Sequence, residues 1–209
     1  MDSSHIIGKL KNRKATIYGE DKFFKSAVLV PLVEINDETH ILFEVRSMQM
    51  RRQPGDICFP GGKIDEEDES PAHCAMRETT EELGLSPHDI TDITPLDYIV
   101  SDMGRIIYPF VGRLNNIDNI IPNPTEVGEV FTVPLEYLLQ NEPETFKVHV
   151  HLQPEESFPL DLIVGGENYQ WQMRHIDELF YRYEEKVIWG LTAKILHQFI
   201  TLIHKGGNQ

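Results

Sequence analysis

Cysteine, positive charge and long apolar runs are all scarce in this chain of 209 residues, and each shortage removes a class of function. Two cysteines, Cys58 and Cys74, are too few for a disulfide framework. One lies in a strand-like stretch and one in a helical stretch, where each reads as a small buried side chain in a reducing setting. Nineteen Lys and Arg face 34 Asp and Glu, a net charge of −15. No basic face is then available to neutralise phosphates, which argues against non-specific nucleic-acid binding. No apolar run reaches the length needed to cross a membrane. The opening Met1-Asp2-Ser3-Ser4-His5 has no secretory pattern and the closing Gly207-Asn208-Gln209 no peroxisomal address, so the expectation is a cytoplasmic protein. Repeats, low-complexity tracts and a second-domain linker are missing too. With 40% hydrophobic content, the chain reads as one domain with extensions around one core.

What is abundant is acid, and it is concentrated. Eight of the 34 acidic residues lie between Asp65 and Glu82, inside the stretch Gly61–Leu85. That stretch reads as a glycine turn, an acidic loop and a helix. Ser70 suits the cap and Pro71 the first helical position, whose N–H has no helical partner. Gly84 can close the helix in the left-handed conformation, and Pro87 forbids its continuation. At 100° per residue, Ala72, Met76, Thr79 and Leu83 form one side, with Glu78, Glu81 and Glu82 opposite. Like charges at these spacings repel. Most charge runs are solvated faces; the alternative is a divalent cation, and oxygen ligands at this density suit Mg²⁺ or Mn²⁺ rather than zinc. Arg77 can orient the cluster by pairing with a carboxylate of the loop.

The string resembles the Nudix box: Gly62, a loop acid at Asp68 or Glu69, Arg77-Glu78, Glu81-Glu82 and Gly84-Leu85. Gly62 to Arg77 spans fifteen positions where the usual box has fourteen, so Asp68 and Glu69 compete for the role of the loop acid. Upstream, Leu42-Phe43-Glu44-Val45-Arg46-Ser47, Arg51, Gly55 and Phe59-Pro60-Gly61-Gly62 are similar to the signature of the coenzyme A pyrophosphatases, with Glu44 where that subgroup often has Thr. The longer loop also looks like this subgroup and favours Asp68.

The resemblance implies an α+β Nudix fold, a mixed sheet sandwiched between helices with a catalytic loop–helix–loop. It implies metal-dependent hydrolysis of the pyrophosphate bond of coenzyme A or its derivatives, to 3′,5′-ADP and 4′-phosphopantetheine. Glu78, Glu81 and Glu82, with the Gly62 carbonyl, would hold Mg²⁺ or Mn²⁺. Glu81 or Glu129 would take the proton from the attacking water, with Arg77 supporting the site. Arg46 and Arg51 would hold the phosphates beside Gly61, where guanidinium geometry suits a bidentate grip. Glu126 and Glu129, in a Glu-Val segment before a Pro-Leu helix, read either as exposed strand-edge residues or as neighbours of the site. A Nudix hydrolase of ADP-ribose or another nucleoside diphosphate is the alternative, and a non-catalytic Nudix-like binding domain a third reading. The partner is a small molecule; the sequence leaves a homodimer open.

Along the chain, residues 1–24 read as an arm or helix packed on the body, and 25–209 as the domain itself. Ala27–Val33 and His40–Arg46 read as a hairpin, with Pro31 pointing to an edge or bulge. Leu96–Val100 and Ile107–Gly112 read as a second hairpin about Ser101–Gly104. Val127–Val133 reads as a strand before a short helix, and Thr145–Leu152 as a half-buried strand. Residues 153–178 read as a variable insertion, followed by a strand from Leu179 to Val187 and a last helix from Ile188.

Overall fold

The computed structural model describes residues 2–101, 104–171 and 174–206. A short helix, α1 (Ser3–Leu10), precedes the first strand, β1 (Phe24–Ile35), which turns back into β2 (Glu38–Arg46). The turn residues Asn36 and Asp37 have φ of 51° and 65°, the mirror-type turn whose twist matches its flanking strands. Two short strands, β3 (Ile57–Cys58) and β4 (Gly61–Lys63), lead into the box helix α2 (Pro71–Leu83). Then come β5 (Ile90–Pro95), β6 (Ile99–Ser101), β7 (Arg105–Leu114), β8 (Val127–Pro134) and α3 (Leu135–Gln140). The chain continues through β9 (Glu144–Val150), β10 (Arg174–Tyr183), β11 (Lys186–Trp189) and α4 (Gly190–Gly206).

Among the described residues, eight strands form one sheet in the order β3-β2-β1-β7-β5, with β4 also on β1, β6 on β7 and β8 on β2. β1 and β7 run parallel, and β2 and β4 pair antiparallel with β1, so the sheet is mixed. Alternation along the strands divides the core. Leu29, Val33 and Leu42 pack with Cys74, Ala75 and Leu83 of α2 on one face. Val30, Ile41 and Phe43 pack with Ile195, Leu196 and Phe199 of α4 on the other. This is the expected α+β arrangement, a mixed sheet between helices.

Four local expectations change. Helix α1 forms, but none of its residues is buried, and Ile6, Ile7 and Leu10 stay exposed, so it does not pack on the body. Pro31 lies in a central strand, not at an edge. It falls between the stretch of β1 that pairs with β4, ending at Val28, and the stretch that pairs with β2, starting at Leu32. A residue without an N–H is tolerated at such a changeover. Strand β9 is exposed over nearly its whole length, because it is the outer strand of a separate three-stranded sheet, and Phe146 and Val148 remain in solvent. The stretch 153–178 gives way to regular strand at Arg174, where β10 begins. Residues 102 and 103 of the expected turn, 172 and 173 of the insertion and 207–209 of the terminus lie outside the described residues.

Candidate active site

Local sequence signals place the ends of α2. The Ser70 hydroxyl accepts the His73 N–H at 3.2 Å, Pro71 opens the helix, and Gly84 closes it at φ 66° with its N–H donated to the Thr80 carbonyl. The rotation of the helix is less expected. Thr79 and Leu83 are buried, but so are Cys74, Ala75 and Glu82, whereas Ala72 and Met76 are only half-buried. The flank that carries Glu82 therefore faces the sheet.

Strand β4 makes this possible. Gly61 and Gly62 have no side chains, and α2 closes onto them. A Cβ on Gly62 would overlap the Glu78 carboxyl group. The Gly61 N–H donates to Glu82 Oε2 at 2.8 Å. Burial raises Glu82, with repulsion from Glu78 and Glu126 adding to it and the Gly61 bond opposing it, so its pKa is pushed up to about 8. Burial raises Glu78 as well, against the pull of Arg77.

Arg77 ties the loop to the helix. Its Nε and Nη2 donate to Asp68 Oδ1 and Oδ2 at 3.0 and 2.9 Å, and its Nη1 lies 2.9 Å from Glu78 and 3.3 Å from Glu81. The Asp68 side chain is 1% exposed and is also met by His73 Nδ1 at 3.1 Å. The guanidinium bonds hold Asp68 well below the usual carboxylate range. Glu69 is exposed, so the paired loop acid is Asp68.

The three box glutamates do not converge as a single turn of like groups. Glu78 and Glu82 turn inward and Glu81 turns outward to Arg77, with its side chain 56% exposed. Among the described residues, no group of three His, Cys, Asp or Glu side chains stands as a ready metal cage. The donors nevertheless fit a hard cation. They are oxygens only, the inward pair is buried against its own repulsion, and Glu44 Oε1, buried nearby on β2, has no hydrogen-bond partner.

Glu129 requires a correction. It pairs with Val45 across β2 and β8, beside Phe43 and Phe131, so it lies on the sheet face away from Glu44 and α2. Both its oxygens accept from Lys186 Nζ, at 2.6 and 2.7 Å. It is not a base for this site. Glu126, in the loop before β8, is half-buried, and its charge is felt at Glu44, Glu78 and Glu82.

A cleft of about 390 Å³ opens beside the glycines, lined by Arg46, Arg52, Gly61, Gly62, Lys63 and Arg105 among others. Cations line it in a strongly acidic chain. Arg46 reaches the Arg52 carbonyl at 3.4 Å. Arg51, expected to share the phosphate grip, is exposed and does not line the cleft; its neighbour Arg52 does. Lys63 and Arg105 are not among the residues expected from the sequence; the place of Lys63 directly after the glycine turn is a signal for it, while Arg105 carries no local signal. The thiols are free, and burial pushes both Cys58 and Cys74 up to about 12, which favours the protonated thiol at neutral pH.

Residues 24–153 match the family model of the NUDIX domain. The mouse peroxisomal coenzyme A diphosphatase NUDT7 is 40% identical over 129 residues, which cover 62% of this chain and 55% of the mouse protein. The chain thus spans about half the length of that relative. The human mitochondrial coenzyme A diphosphatase NUDT8 is 30% identical over 187 residues, covering 88% of this chain and 71% of the human one. A crystal structure of a MutT/nudix family protein from Enterococcus faecalis superposes with a TM-score of 0.51 at 14% identity, over 100% of this chain and 71% of that one. At that identity it speaks for the fold alone. Among the described residues, no helix is long and apolar enough to cross a membrane.

Proposed function

Since the chain belongs to the Nudix family, we propose that it is a metal-dependent diphosphatase that cleaves the pyrophosphate bond of coenzyme A or its derivatives, releasing 3′,5′-ADP and 4′-phosphopantetheine or its acyl form. One observation carries this reading: the inward carboxylates Glu78 and Glu82 are packed on Gly61-Gly62 at the edge of a cleft lined by Arg46, Arg52, Lys63 and Arg105. Acid to hold a cation and base to hold a polyphosphate stand side by side in a chain of net charge −15. The similarity to two coenzyme A diphosphatases supports the substrate class.

In this reading Glu78 and Glu82, with the Gly62 carbonyl, hold Mg²⁺ or Mn²⁺. When bound, such an ion supplies Lewis acidity at the diphosphate and lowers the pKa of a water. Arg77 fixes Glu78 through its own anchor on Asp68. Glu81, at the solvent side of α2 and within reach of Arg77, takes the proton of the attacking water. Arg46 and Arg52 hold the phosphates and offset the charge that develops on them. The relatives are named as peroxisomal and mitochondrial proteins, not cytoplasmic ones.

The test is a product assay on free, acylated and oxidised coenzyme A and on ADP-ribose, with Mg²⁺, Mn²⁺ or EDTA. Release of 3′,5′-ADP from the coenzyme A forms, abolished by EDTA, is expected. Faster turnover of ADP-ribose than of every coenzyme A form would overturn the substrate assignment.

A further inference from the structure

Strand β2 buries Ile41, Leu42 and Phe43 and then, in the same run, a carboxylate: Glu44 is 1% exposed. A charged side chain so placed is rare unless something takes up its charge. No hydrogen bond does so at Oε1. Alternation puts Glu44 on the face of Leu42, which packs against Cys74, Ala75 and Leu83 of the box helix. The charged groups around it are Glu82 from α2, Arg46 from its own strand and Glu126 from the loop before β8. Three carboxylates thus share one guanidinium, and that guanidinium also reaches the Arg52 carbonyl.

Building on the Nudix reading above, we propose that Glu44 is a further oxygen ligand of the divalent cation, acting from the sheet side while Glu78 and Glu82 act from the helix side. Glu44 sits on a central strand, paired with Cys58 on one side and Val130 on the other, so its backbone is fixed and only the side chain needs to adjust. With two carboxylates on a helix and one on a strand, the cation would bridge the two layers. The Gly61 N–H to Glu82 bond already joins them.

The test is a titration of the full chain with Mn²⁺ alone, following free Mn²⁺ by EPR, for wild type, Glu44→Gln, Glu44→Thr and Glu82→Gln. Glu44→Gln should weaken Mn²⁺ binding by about tenfold or more and shrink the rise in Tm that Mn²⁺ produces. In EDTA its Tm should stay close to that of wild type, because the amide keeps the shape of the buried side chain. Glu44→Thr should behave in the same way, and it carries the test if Glu44→Gln does not fold. Wild-type affinity in the Glu44 variants together with lost affinity in Glu82→Gln would overturn the role of Glu44 and leave the Nudix reading in place. Wild-type affinity in all three variants would overturn both.

Discussion

Gly62 lies so close to the Glu78 carboxyl group that a single added carbon would overlap it. The obstacle there is the far end of a flexible side chain, which can swing aside. At Gly61 the obstacle is backbone: φ is 152°, and an added Cβ would stand 2.6 Å from Val28 Cα. Neighbouring glycines therefore serve different ends. Gly62→Ala should fold with a Tm within a few degrees of wild type but lose most of its activity, through displaced Glu78. Gly61→Ala should lose roughly 2 kcal/mol or more of stability, as strained backbone substitutions do. Thermal melts and turnover on the two purified variants check the contrast, and a Gly62→Ala enzyme of normal activity would contradict it.

The Asp68–Arg77 pair should show in the acid limb of the stability curve. The folded carboxyl is held below its ordinary value of 3.8. Its contribution is complete above that value and is lost as the pH falls from there through the folded pKa. Asp68→Asn should cost about 3 kcal/mol at pH 7, because it leaves Arg77 without its main partner. The gap between the variant and wild type should narrow at pH 3. Urea unfolding at the two pH values measures it, and a gap that widens on acidification would be the wrong sign.

Glu129 and Glu82 make a paired comparison. Glu129 is bound to Lys186 on the far side of the sheet, with about half its side chain in solvent. Glu129→Gln should leave turnover within about twofold and cost at most about 1 kcal/mol, as an exposed ion pair does. Glu82→Gln should lower turnover by about a hundredfold or more, in line with loss of a group that stabilises transition-state charge. Steady-state kinetics on both variants settle it.

Arg51 and Arg52 are adjacent in sequence, but only Arg52 lines the cleft. Arg52→Ala should raise KM for coenzyme A by about tenfold, the usual worth of a charge-assisted hydrogen bond, and Arg51→Ala much less. The same comparison on dephospho-coenzyme A locates the contact. An effect of Arg52→Ala confined to coenzyme A assigns it to the 3′-phosphate, and an equal effect assigns it to the diphosphate.

Helix α2 was readable because its signals are local. Ser70, Pro71 and Gly84 act within one turn of where they stand, and Arg77 meets Asp68 only nine positions away. The strand pairs β1–β2 and β6–β7 were readable for the same reason, whereas the layered class of the fold was implied by the family resemblance. The exposure of β9 is not legible in the same way, because alternation shows that a strand has two faces but not that either is covered.

Residue identity and short-range spacing were enough for the punctuation of the box helix and its acidic content. They were not enough to say which glutamates turn inward, that Arg52 and Arg105 share a cleft, or that Glu129 is bound 57 positions away by Lys186. Glu44 shows the reason. A carboxylate beside Ile41, Leu42 and Phe43 is a visible oddity in the string of letters, yet its meaning depends on which helix covers that face of β2. Only the packing of α2 on Gly61 and Gly62 decides that, through contacts between segments far apart in the chain.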